Sequence, residues 1–211
     1  TAPDTVLAID GATGTELWRH AHVLTRGNSS MKMVLALSGG QVFVPTSDLH
    51  VIALDARTGQ KAWDHTIELS PPATAANRMM FNLRSAPLIA GDKVIQGVTS
   101  SAGPGGGFIV ALDINTGKEV WRFHTTARPG GPGGNTWNDL PVEKRTGGSV
   151  WDQGTYDKDL NLVYYGAGAT YDTAPLRNPS ATPGVSNDAV YTNSTLAIVG
   201  YTGQLQWHYH H

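Results

Sequence analysis

The chain has 211 residues, with 15 Lys and Arg against 17 Asp and Glu and a sequence pI near 6.4. That balance leaves no basic footprint for a nucleic-acid backbone. No apolar run approaches the roughly 20 residues that span a bilayer, and the opening TAPDTVLAID lacks the charged and apolar regions of a signal peptide, so the chain reads as soluble. It contains no cysteine, which removes disulfides and thiolate chemistry without fixing a compartment.

Taken in order, the chain repeats one motif four times. VLAIDGATGTELW, VIALDARTGQKAW, IVALDINTGKEVW and TLAIVGYTGQLQW each combine an alternating apolar strand, a Thr-Gly turn and a short strand ending at Trp18, Trp63, Trp121 or Trp207. Gly14, Gly59, Gly117 and Gly203 supply the permissive backbone of a tight hairpin, and each Trp is large enough to cover the gap between neighbouring sheets. Ahead of three of these hairpins stands a second pair of strands: MVLALSGGQVFVPTS turning at Gly39-Gly40, SAPLIAGDKVIQGVTS turning at Gly91-Asp92, and GSVWDQGTYDKDLNLVYYGAGA turning at Asp157 to Asp159.

Two such strands and one Thr-Gly hairpin make a four-stranded antiparallel unit. The tryptophans are spaced 45, 58 and 86 residues apart, one unit length with growing insertions, and the pattern predicts an all-β propeller whose function lies in the insertions. It divides the chain into a half-blade over 1–20 and blades over 31–68, 81–126 and 146–211, an arc of about three and a half blades. An open arc would leave strand edges unpaired, so the chain is expected to be part of a larger ring.

The ALDxxTGxxxW hairpins, the blade FIVALDINTGKEVWRFHT with the Gly/Pro insertion after it, and TGGSVWDQGTYDKDLNLVYYGAG followed by YTNSTLAI resemble the N-terminal half of the pyrroloquinoline-quinone (PQQ) dependent alcohol dehydrogenases. The resemblance implies an eight-bladed, usually periplasmic enzyme. It would oxidise alcohols or aldehydes with PQQ and a calcium or lanthanide ion, and pass electrons to an external acceptor such as a cytochrome c. The alternative is a cofactor-free propeller scaffold that resembles the lipoprotein of outer-membrane protein assembly and shares only the hairpins.

By the same resemblance Trp151 is the floor on which the quinone stacks, and the other reading makes it one more wedge between blades. Ser149 matches a hydroxyl that contacts the cofactor, Gly147 and Gly148 let the backbone approach it, and Thr99 and Ser100 close the strand that faces it. PQQ carries three carboxylates, which need cationic donors. Lys32 stands beside the position of a family Asn-Arg pair, and Arg84 stands near that of a family threonine. Each is otherwise a solvated surface cation.

Metal ligation departs from the family. The usual Glu is missing from TSSAGPGGG and the usual Asn is replaced by Ala169, which leaves Thr170, Asp172 or backbone carbonyls as the candidate ligands. The aspartate base is expected beyond His211, and the family's adjacent-cysteine disulfide is absent from RGNSSMK. GPGGGF is a loop rather than a dinucleotide fingerprint, because a strand follows it. The terminal HYHH reads as solvated or blade-edge histidine. ARPGGPGGNTWNDLP offers Trp137 and Asn138 either as a wall of substrate access or as a mobile surface loop.

Overall fold

The computed structural model describes residues 4–25, 34–72, 74–100 and 102–211. A first sheet has two strands, β1 (Asp4–Ile9) and β2 (Glu16–His22). The second is an antiparallel meander of β3 (Ala36–Ser38), β4 (Gln41–Pro45), β5 (His50–Asp55) and β6 (Lys61–Thr66). The third runs from β8 (Leu88–Ala90) through β9 (Lys93–Ser100) and β10 (Phe108–Asp113) to β11 (Glu119–His124), with β7 (Phe81–Asn82) pairing on the far end of β9. The fourth is β12 (Thr155–Asp157), β13 (Leu162–Ala167), β14 (Ser194–Val199) and β15 (Leu205–His210). Among the described residues the one α-helical turn is Ala75–Arg78, and no helix is long and apolar enough to cross a membrane.

The four repeated hairpins fold alike. β1–β2, β5–β6, β10–β11 and β14–β15 all carry a register shift at the same place, between Ala8 and Ile9, Ala53 and Leu54, Ala111 and Leu112, and Ala197 and Ile198. In the first three turns an aspartate organises the loop: Asp10, Asp55 and Asp113 each accept bonds from two backbone amides and from the hydroxyl of Thr13, Thr58 or Thr116. Those bonds stabilise the ionised carboxylate and lower its pKa, chiefly through Thr13 on Asp10, Thr58 on Asp55 and Thr116 on Asp113. The fourth turn has Val199 at the aspartate position and turns without the bond set.

The tryptophans at the ends of these hairpins join one sheet to the next. Trp18 donates its indole N–H to Ala56 O at 3.1 Å, Trp63 to Ile114 O at 3.0 Å and Trp121 to Gly200 O at 2.8 Å. Each ring lies against the turn glycine of that neighbouring hairpin. A Cβ on Gly59 would sit 2.6 Å from Trp18, one on Gly117 2.5 Å from Trp63 and one on Gly203 2.6 Å from Trp121. These glycines also have φ near +70°, so the residue is required twice, for conformation and for space.

Alternating residues of each strand face the two neighbouring sheets, which is why the strands read as continuous apolar runs. Val42, Val44, Ile52 and Leu54 pack with Val6 and Trp18 toward the first sheet, while Phe43, Val51 and Ala53 pack with Trp63, Val94, Val98, Phe108 and Val110 toward the third. Ile95, Ile109 and Trp121 close the third against Val163, Leu196 and Ile198 of the fourth. At the ends of the arc Gly14 faces open space and Trp207 is exposed.

Replacing Trp63 by alanine is expected to cost about 3–5 kcal/mol, as for other buried aromatic truncations. Gly117→Ala should also destabilise, by about 1–3 kcal/mol, from its left-handed backbone and the displaced ring. Because both act on one contact, urea denaturation of the double variant should show less than the sum of the single effects; full additivity would mean that ring and glycine do not depend on each other.

Candidate functional site

The innermost strand of the third sheet is split. β7 and β8 pair with opposite ends of β9, and residues 83–87 between them leave the sheet. The buried Gln96 fills the break, donating to Ser85 O and Ser85 Oγ at 3.3 Å each. This detour carries the exposed Arg84, whose side chain makes no hydrogen bond or ion pair among the described residues.

The segment 147–151 leads into β12 and lies against the face of β9, where Gly97 makes room for Val150: a Cβ there would come 2.5 Å from Val150 Cγ1. Thr99 Oγ1 donates to Val150 O at 3.1 Å, Ser149 Oγ donates to Ser100 O at 2.6 Å, and Ser100 N donates to Ser149 Oγ at 3.2 Å. Gly168 N donates to Ser149 O at 2.9 Å. Trp151 leaves this anchored segment with the outer edge of its indole against Gly168, where a Cβ would sit 2.6 Å from Cζ3 and 2.7 Å from Cη2. It is still 42% exposed. The open side borders a hollow of about 260 Å³ lined by Arg84, Thr99, Trp151 and Tyr171.

Arg84, Thr99 and Trp151 are thus brought together, and Tyr171, which the sequence did not single out, joins them. Trp151 is not a wedge of the Trp63 or Trp121 kind, since those rings are buried between sheets. Other expectations are corrected. Ser149 is 1% exposed with its hydroxyl both donating to and accepting from Ser100, and Ser100 Oγ bonds the main chain of Gly103; both hydroxyls brace the loop rather than face the hollow. Gly147 and Gly148 permit a close approach to protein: added Cβ atoms would meet Thr170 Cα at 2.4 Å and Thr125 Oγ1 at 2.6 Å. Lys32 lies outside the described residues.

Thr170 and Asp172 are engaged locally. Asp172 Oδ1 accepts the Ala174 amide at 3.2 Å, Thr170 Oγ1 reaches only Asp172 O at 3.5 Å, and no cluster of three metal-ligating side chains includes Asp172 among the described residues. Trp137 does not wall an access path. It is 1% exposed, bonded to Val190 O and packed in the core between the third and fourth sheets. Asn138 donates to Pro175 O and Asn178 O and accepts from Ser180 N, which ties the two long insertions together. Arg145, buried under Trp137, completes this knot by donating to the carbonyls of Leu140, Ala127 and Gly134.

Beneath the first insertion, Arg128 Nη2 lies 2.7 Å from His124 Nδ1 and 2.8 Å from Ser70 O. Burial, reinforced by the charges of Arg128 and Arg122, pushes His124 down to about 3, and burial with the charges of Arg145 and Arg122 lowers Arg128 to about 10. His124 is therefore a neutral ring whose Nδ1 accepts a hydrogen bond from the Arg128 guanidinium.

The chain belongs to the PQQ-dependent glucose/ethanol/alcohol dehydrogenase β-propeller family, whose model matches residues 1–211. It is 36% identical to a quinohemoprotein alcohol dehydrogenase, ADH IIB, of Pseudomonas putida over 97% of this chain and 30% of that protein. The solved structure of ADH-IIG from Pseudomonas putida HK5 superposes with a TM-score of 0.76 at 28% identity, covering 100% of this chain and 32% of that one. A europium-containing methanol dehydrogenase gives the same TM-score at 25% identity over 98% of this chain and 38% of its own. The chain therefore spans about a third of the length of these relatives and is part of a propeller.

The His124 environment sets a pH dependence. Between its ordinary 6.5 and about 3 the unfolded chain binds a proton that the folded chain does not, so stability falls as pH falls through that window, by about 1.4 kcal/mol per unit. Denaturation at about pH 6.5 and about pH 5, above the midpoint of most carboxylate titrations, should show a loss of about 1.6 kcal/mol, less than the full slope because half of the unfolded histidine is already protonated at pH 6.5, and His124→Gln should largely abolish it. An equal loss in the variant would place the titrating group elsewhere.

Proposed function

We propose that this chain forms part of a PQQ-dependent dehydrogenase that oxidises alcohols or aldehydes, and that the hollow between Arg84 and Trp151 is its share of the cofactor pocket. The observation that carries the reading is the half-exposed Trp151 indole, held at its edge by Gly168 and bordering a hollow it shares with a guanidinium that is unpaired among the described residues. A planar, polyanionic quinone matches that donor set: an aromatic face for the ring system and a cation for a carboxylate.

When bound, PQQ supplies the two-electron acceptor for the alcohol. Trp151 gives it an aromatic floor whose edge is fixed against Gly168, and Arg84 is free to bond a carboxylate. Thr99 lines the same hollow while fixing the Val150 carbonyl, which holds the Trp151 backbone. Ser149, Ser100, Gly147 and Gly148 act one step back, by bracing that loop. Among the described residues no cluster of metal-ligating side chains includes Asp172, so no ligand role in this chain is assigned for the calcium or lanthanide ion of the family. The proton-accepting aspartate, a cytochrome c acceptor and a periplasmic location complete the proposal by family resemblance. The weak metal set also favours a second reading, a cofactor-free propeller scaffold.

PQQ titration and thermal melting of the full-length protein separate the readings. Trp151→Ala should weaken PQQ binding by about 1–3 kcal/mol, roughly 5- to 150-fold, with little change in melting temperature. Arg84→Gln should weaken it by about 1.5–3 kcal/mol, the worth of a charged hydrogen bond. A large stability loss in Trp151→Ala with unchanged PQQ affinity would refute the stacking role, and a wild-type protein that binds no PQQ would favour the scaffold.

A further inference from the structure

Away from the hollow, the junction of the first and second sheets holds a cluster that the dehydrogenase reading does not use. His22 ends β2, His50 begins β5, and Asp48 lies in the turn between β4 and β5, where Leu49 adopts φ +70°. One ligand atom from each of the three lies within 4.8 Å of the others. His22 Nε2 is 3.0 Å from Asp48 Oδ1, and His50 Nε2 is 3.9 Å from Asp48 Oδ2. Asp48 is 1% exposed and His22 is buried.

The surroundings orient these groups toward a shared point. Thr46 Oγ1 donates to Asp48 Oδ1 at 2.7 Å, and the amide and hydroxyl of Thr25 donate to Oδ2 at 2.8 and 2.9 Å. Burial alone would raise the Asp48 carboxyl, but the bonds from Thr25 and Thr46 hold it well below the usual carboxylate range, so it is an anion. His50 Nδ1 is 2.7 Å from Asp64 Oδ1, which in turn bonds Lys61. Donation from Nδ1 to Asp64 leaves Nε2 as a lone pair facing the Asp48 carboxylate across a gap too long for a hydrogen bond. Thr66 Oγ1 is 3.4 Å from both ring nitrogens and so lies on neither lone-pair axis. A histidine with a carboxylate behind one nitrogen and its other nitrogen turned to a second histidine and a buried carboxylate has the layout of a metal ligand with its outer support.

We propose that His22, Asp48 and His50 bind one divalent first-row transition ion, Zn²⁺ being the best match, which clips the first sheet to the second. Two imidazoles and a carboxylate suit zinc with a fourth position left to water. Bonds of about 2.0–2.2 Å place tetrahedral ligands roughly 3.3 Å apart, so closure asks that His50 move inward toward Asp48 and that the carboxylate, which already accepts bonds from Thr46 and Thr25, turn a lone pair to the ion. The ion would occupy the gap between Nε2 and the carboxylate and replace the proton that His22 shares with Asp48.

The test uses the full-length protein, stripped with a chelator and titrated with Zn²⁺ by calorimetry and with Co²⁺ by visible absorption. One equivalent of zinc is expected, with an X-ray absorption shell of two imidazoles and oxygen at about 2.0–2.1 Å, and Co²⁺ should give the intense bands of a tetrahedral site. His50→Gln and Asp48→Asn should abolish both signals. Asp64→Asn keeps every ligand and should weaken zinc binding by roughly 10–100-fold, which keeps the proposal testable if the ligand variants fold poorly. No bound zinc, or Zn²⁺ and Co²⁺ signals unchanged in His50→Gln, would overturn it, as would NMR showing His50 doubly protonated between Asp48 and Asp64 in zinc-saturated protein.

Discussion

Every sheet in this arc after the first is coupled to its predecessor by an indole laid on a glycine. The contact works because the Thr-Gly turn supplies two things at once: a left-handed residue that closes the hairpin and a bare Cα on which a flat ring can rest. The indole N–H then bonds a carbonyl of the same turn, so the ring satisfies its polar atom where it packs. The common position of the hairpins fixes the angle from sheet to sheet, and the cores between sheets form from alternating faces of the same strands.

That scaffold explains how insertions can be large without disturbing the fold. The segments 125–154 and 168–193 leave the third and fourth sheets at equivalent ends and bond to each other through Trp137, Asn138 and Val190. Among the described residues Arg145 pairs with no carboxylate; it gathers three carbonyls that loops without regular pairing would otherwise leave unbonded. The order in these insertions passes to Thr170, against which Gly147 packs, and so to the loop that presents Trp151. The candidate site sits where rigid strands and braced loops meet, with Arg84 delivered by a break in one innermost strand and Trp151 by the approach to the next.

The sequence was most legible where chemistry repeats. Four copies of one hairpin made the blades and their tryptophans readable, because turn and packing are local and each copy reports the same constraint. Trp151 also stood out, as a tryptophan outside the repeat beside two glycines. Legibility failed where one residue type serves opposite ends. A buried serine that braces a loop and a serine that contacts a ligand look alike in sequence, and so do a glycine that admits a cofactor and one that admits Thr170. Tyr171 was missed because nothing local marks it; it belongs to the hollow only through the path of an insertion.

By itself the sequence determined the strand periods, the turn types and the number of repeated hairpins, since these depend on residues a few positions apart. The tertiary structure alone decided which polar groups remain available. It engaged Ser149 and Ser100 with each other, buried Trp137, left Arg84 without a partner among the described residues and drew His22, Asp48 and His50 together from two strands and a turn. The reason is that a side chain's chemistry depends on which hydrogen bonds and contacts are already made, and those partners are 26 residues away for His22 and Asp48 and 49 for Ser149 and Ser100.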